Sequence, residues 1–156
     1  MSALRGRLIV GQSGGPTAVI NASLAGVIRE VHRHEVITGI YGMRHGVEGL
    51  LREEVVDLGA ESAETVDRLA HTPSAALGSC RHKLTDADYA RLLAILRSHD
   101  IRFFLYIGGN GSADTARRLA DLAARWLATS VRDGPGPDAR GRRPAPHLPP
   151  GAPAAS

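Results

Sequence analysis

The sequence predicts an α/β fold, a three-layer parallel sheet with helices on both faces. Strand-like and helix-like segments alternate over the first 128 of 156 residues, the pattern of a parallel sheet with crossover helices. Two glycine-rich turns each follow an apolar run and open a helical pattern. The composition, 43% hydrophobic and 22% charged, is ordinary for a globular chain and unlike that of a disordered one.

The elements follow in order. Arg7 to Val10 is a short apolar strand, and Gly11 to Thr17 is a glycine-rich turn. Ala18 to His34 carries Val19, Ile20, Leu24, Val27, Ile28 and Val31 at helical spacing, one face of a helix. Val36 to Tyr41 is a strand rich in β-branched residues. Gly42, Gly46 and Gly49 then suggest a flexible connection to a third strand, Glu54 to Leu58, and a short helix, Ala63 to Ala70. Thr72 to Leu84 reads as a loop. Thr85, with Asp88 three residues on, is a capping box that opens a helix to about His99. Ile101 to Ile107 is a continuous apolar run, expected to be buried on both faces. Gly108 to Gly111 is a second tight turn, after which Ser112 is placed to cap a helix reaching about Ala128.

Residues 129–156 differ in kind. The last 25 residues hold seven prolines and four glycines, so a Pro/Gly/Arg-rich disordered tail is expected. A domain ending after a fourth strand and a helix leaves a sheet edge unpaired, which suggests a truncated or frame-shifted reading frame. The tail also carries four of the 19 basic residues beside only two acids. Without it, 15 bases face 14 acids, so the net charge of +3 does not indicate a nucleic-acid partner. Six aromatics are too few for a stacking platform on single strands. No apolar run approaches the roughly 20 residues of a membrane helix. Arg5 and Arg7 lead straight into a strand-like run, so no secretory leader is expected. One cysteine, Cys80, rules out an internal disulfide framework and fits a reducing cytoplasm.

The chemistry-bearing segments are the turns. Gly11-Gln12-Ser13-Gly14-Gly15-Pro16-Thr17 joins a strand to a helix. Such a turn lets backbone N–H groups approach an anion, and the helix N-terminus adds positive potential. An isolated Gly-Gly is more often a tight connection without a ligand. The lysine of a P-loop is absent, and the spacing misses the dinucleotide fingerprint. Gly108-Gly109-Asn110-Gly111-Ser112 is a second turn of the same kind. At the carboxyl ends of parallel strands the two would face one crevice, which implies a polyphosphate site more strongly than either alone. Between them lies Leu77-Gly78-Ser79-Cys80-Arg81-His82-Lys83, whose cations suit phosphates, though a solvated basic loop is the commoner case.

These motifs in this order resemble the phosphofructokinase family: Ser13-Gly14-Gly15 with Asn21-Ala22, Gly39-Ile40-Tyr41, Leu77 to Arg81, and Ile107 to Ser112. The resemblance covers about residues 7 to 128 and implies an incomplete N-terminal domain holding the phosphoryl-donor half of the site. It implies that Gly14 approaches the donor phosphates through its backbone, that Arg81 pairs with them and that His82 lies beside the nucleotide. Gly109, Gly111 and Ser112 would complete the cradle. Asn110 stands where ATP-using members carry a magnesium-binding aspartate. A neutral amide there implies that Mg2+ is held mostly by the donor's own phosphates. Glycine at 111 implies room for the α-phosphate of ATP, whereas the Ser-Gly-Gly-Pro turn and Asn110 look more like the pyrophosphate branch.

The family's Pro-x-Thr-x-Asp-Asn-Asp segment, with its catalytic base, does not occur in this chain, and no residue is assigned as catalytic. Three readings follow. The first is ATP-dependent phosphoryl transfer to fructose 6-phosphate giving fructose 1,6-bisphosphate, with pyrophosphate as the alternative donor. The second is a non-catalytic nucleotide-binding fragment. The third is a small nucleotide-binding domain unrelated to sugar kinases. The resemblance also implies a homo-oligomer in the cytoplasm.

Overall fold

The computed structural model describes residues 4–15 and 17–132, so the greater part of the expected tail lies outside the described residues. The element order is β1 (Gly6–Gln12), α1 (Ala18–Val31), β2 (Ile37–Met43), α2 (Gly46–Leu51), β3 (Val55–Asp57), α3 (Ala63–His71), α4 (Asp86–Ser98), β4 (Ile101–Ile107) and α5 (Asn110–Arg132). The strands form one sheet in the order β3-β2-β1-β4. β1 is parallel to both neighbours, in register through Ile9↔Tyr41 on one side and Ile9↔Phe104 on the other.

Alternation along β1 builds the layers. Leu8 and Val10 point into one core with Leu24, Ile28 and Val66, so α1 and α3 cover that face. Ile9 points the other way, into a core with Val47, Leu92 and Leu119 from α2, α4 and α5. The expected three-layer arrangement is present. No helix among the described residues is long and apolar enough to cross a membrane.

Several expectations change. The sheet is mixed, because β3 runs antiparallel to β2. The connection over residues 44–54 falls short of the dozen or so residues a parallel crossover needs, so the chain turns back beside β2. The presumed flexible connection contains α2, whose glycines are packing positions. A Cβ on Gly49 would run into the Arg44 carbonyl, so only glycine lets the helix close against the chain entering it. Val19, placed on the apolar face of α1, is 66% exposed. β4 is half-buried, because it is the terminal strand of the described sheet with β1 as its one strand neighbour. Ser112 is the third residue of α5 and does not cap it. The Ala113 N–H reaches the Gly109 carbonyl at 3.1 Å, which puts the cap position at Gly109. α5 also runs four residues past Ala128, into the segment assigned to the tail, since no glycine or proline intervenes before Gly134.

Candidate functional site

The site lies where β1 and β4 end side by side. The Ser13 N–H donates to the Ile107 carbonyl at 2.8 Å, carrying the strand pairing into the first turn. Gly14 follows at φ +81°, a left-handed conformation that glycine adopts most readily, and a Cβ there would lie 3.6 Å from the Gly109 nitrogen. The two glycine turns therefore lie side by side. Gly109 caps α5, whose first turn carries no acid. The Ser112 and Ala113 N–H groups are spent on the Gly109 carbonyl, and the Asn110 and Gly111 amides before them have no acceptor within the helix. Added Cβ atoms on Gly109 and Gly111 would meet nothing within 4 Å. Unlike Gly49, these two glycines are not required by crowding; they line open space.

That space is a cleft of about 500 Å³. Of the residues singled out from sequence, Gly14, Arg81, His82, Gly109, Gly111 and Ser112 lie on its wall. Asn110 does not; it is exposed at the start of α5. The wall also carries Lys83, Arg118 and Asp114, so it is net cationic. Neither Arg81 nor Lys83 has an ion-pair partner among the described residues.

The loop bearing Arg81 is seated by buried amides. Gln12 and Asn21 are both fully buried, and the Gln12 amide donates to Asn21 Oδ1 at 2.9 Å. Gln12 Oε1 accepts the Leu77 N–H at 2.8 Å, and Asn21 Oδ1 accepts that of Ala76 at 2.9 Å. Asn21 Nδ2 donates back to the Thr72 carbonyl at 3.0 Å. Each polar group in this chain of bonds is satisfied, so its burial carries no orphan penalty. At the loop's far end Thr85 and Asp88 form the expected capping box. Its two Thr85 donors hold the Asp88 carboxyl below its usual range, with His82 at 3.6 Å a weaker contributor.

Tyr106 and Tyr89 line the floor. The Tyr106 hydroxyl accepts the Val47 N–H at 3.3 Å and lies 3.4 Å from Cys80 Sγ. Burial, reinforced by the bond to Cys80, pushes it up to about 12, so it stays neutral beside an anion. The Arg118 guanidinium stands 5.1 Å from the centre of the Tyr89 ring and is held in its charged form chiefly by the Tyr89 hydroxyl.

Sequence reasoning missed Gln12, Tyr106 and Arg118. For Arg118 a signal was available: Gly111, Asp114, Thr115 and Arg118 share one face of a helix by spacing alone. The acid on that face, Asp114, pairs with Arg117 at 3.1 Å. The donor set does not suit magnesium. Among the described residues no cluster of three His, Cys, Asp or Glu exists, and Asn110 brings a neutral oxygen off the wall. The wall can hold a polyanion through main-chain amides and guanidinium groups, with no carboxylate cage for a cation.

A family model described as Phosphofructokinase matches residues 7–131. The chain belongs to the phosphofructokinase family. Over 123 residues it is 50% identical to the pyrophosphate–fructose 6-phosphate 1-phosphotransferase of Xanthomonas campestris pv. campestris (strain B100), covering 76% of this chain and 29% of that protein. It is 32% identical over 117 residues to the ATP-dependent 6-phosphofructokinase of Brevibacillus brevis, covering 74% of this chain and 35% of that one. Among solved structures, the pyrophosphate-dependent phosphofructokinase of Nitrosospira multiformis superposes with a TM-score of 0.74 at 43% identity, covering 78% of this chain and 31% of that structure. The phosphofructokinase fold is thus present in part: the chain spans about three-tenths of the length of these relatives.

Proposed function

We propose that this chain is the phosphoryl-donor half of a fructose 6-phosphate phosphotransferase, with pyrophosphate as the donor. The observation that carries the reading is that the two glycine turns lie side by side on the wall of one cationic cleft, joined by the Ser13 N–H bond to the Ile107 carbonyl at 2.8 Å. Amides at the start of α5 would receive one phosphate through the helix N-terminus, and Arg81 would pair with the other. Preorganised donors of this kind supply most of what a protein contributes to phosphoryl transfer, since they hold the charge that spreads over the transferring group. The base that activates the sugar hydroxyl has no candidate here, so the isolated chain is expected to bind donor without turnover. Cytoplasmic location and homo-oligomeric assembly belong to the same proposal.

The identity gradient, 50% against 32%, favours pyrophosphate over the ATP first expected. One observation favours ATP as the second reading: the open space at Gly111 leaves room for a third phosphate. Melting of the purified chain with pyrophosphate or ATP, each with and without magnesium, separates the two. A ligand that binds only the folded state raises the midpoint. The larger rise is expected with pyrophosphate; a larger rise with ATP reverses the donor assignment, and no rise with either overturns the proposal.

A further inference from the structure

Two hydroxyls tie the basic loop to the first glycine turn in opposite directions. Ser79 Oγ donates to the Gly14 carbonyl at 2.7 Å, and Ser13 Oγ donates to the Cys80 carbonyl at 3.3 Å. The pairs are 65 and 67 residues apart in sequence, so this is a tertiary clasp. Ser13 lines the cleft, whereas Ser79 does not. Ser79 therefore acts on the cleft only through what it holds. On one side it holds Gly14, whose carbonyl it turns into the loop. In a planar trans peptide the Gly15 N–H is antiparallel to that carbonyl and so is turned away from the loop. On the other side, two residues along, stands Arg81, exposed and without an ion pair among the described residues to fix it.

We infer that Ser79 is a positioning residue that clasps the Arg81 loop to the Gly14 turn and sets the guanidinium over the main-chain amides of the cleft. Its role in donor binding rests on the donor reading above, but the clasp itself does not. The Gln12–Asn21 amides anchor the loop only as far as Leu77. Between Leu77 and the Thr85 cap, the two serine bonds are, among the described residues, the hydrogen bonds that join the loop to β1 and its turn. The Ser79 bond is the shorter of the two, and its side chain is the one that does not itself line the cleft.

The chain carries its own reporter. Cys80 is its single cysteine, is buried, and has its thiol 3.4 Å from the Tyr106 hydroxyl beneath the loop. Cys80 is only 9% exposed, so lifting of the loop is expected to speed its reaction with a disulfide reagent such as dithionitrobenzoate. Ser79→Ala is expected to speed Cys80 labelling and to weaken pyrophosphate binding, each by roughly threefold to tenfold, the worth of one net hydrogen bond. Ser79→Thr keeps the hydroxyl and is expected to restore both. Labelling of Ser79→Ala at the wild-type rate overturns the clasp, whether or not pyrophosphate binds. Faster labelling with unchanged pyrophosphate affinity overturns the positioning role and leaves a structural bond. Absence of binding by the wild-type chain overturns the donor reading, while the labelling rates still decide the clasp.

Discussion

The two sides of the candidate site are built differently. On the side of β1, β2 and α1, a fully buried amide pair and a tight apolar cluster seat the loop that carries Arg81, with each polar group bonded. On the side of β4 and α5, the strand is half-buried and has no second strand neighbour among the described residues. There a groove of about 480 Å³ runs between α4, α5 and β4, with Trp126 38% and Leu127 55% exposed. Arg97 covers the Trp126 ring at 3.4 Å. The candidate site sits on the boundary: its first turn belongs to the closed side and its second to the open one. Its geometry is therefore expected to depend on the closed side far more than on the open edge.

The sharpest way to break that comparison is in the closed core. Leu24 is 1% exposed beneath the loop, and Leu24→Ala should cost about 3–4 kcal/mol by urea unfolding, through lost transfer energy plus the cavity left behind. Asn21→Ala orphans the Gln12 amide and the Ala76 N–H together and should cost about 2–3 kcal/mol, with faster amide exchange over residues 72–84. Tyr106 joins the two sides, and its effect is one of pH. With its hydroxyl raised from 10.0 to about 12 in the folded state, the unfolded chain gives up that proton first. Its contribution is complete below about pH 10 and is lost as pH rises toward 12. Tyr106→Phe should flatten the fall in the denaturation midpoint over that window. On the open side, Leu127→Ala should change stability by less than about 0.5 kcal/mol. A cost comparable to that of Leu24→Ala would erase the distinction between the two sides.

What the sequence disclosed follows the same division. Local signals were readable: the 3.6-residue period of α1, the Thr85–Asp88 box, and the glycine turns that close β1 and β4. Their juxtaposition followed from one rule, that parallel strands present their carboxyl ends to a common crevice. Non-local facts were not readable. The direction of β3 depends on the reach of residues 44–54, and the glycines that suggested flexibility there are packing contacts of α2. Gln12 looks like the polar end of a strand until the fold brings Leu77 to its side chain. Arg118 is legible as helical periodicity from Gly111, on the same face but beyond Ser112, where the glycine motif ends.

The central claim is that main-chain amides of the two turns, with the Arg81 guanidinium, grip a polyphosphate. Calorimetric titration of pyrophosphate into the purified chain, wild type beside Arg81→Ala, tests it most directly. Saturable binding by the wild type is expected, weakened about tenfold or more in the variant, since a charge-assisted bond is worth about 1.5–3 kcal/mol. No binding by the wild type, or equal affinity in Arg81→Ala, would contradict it.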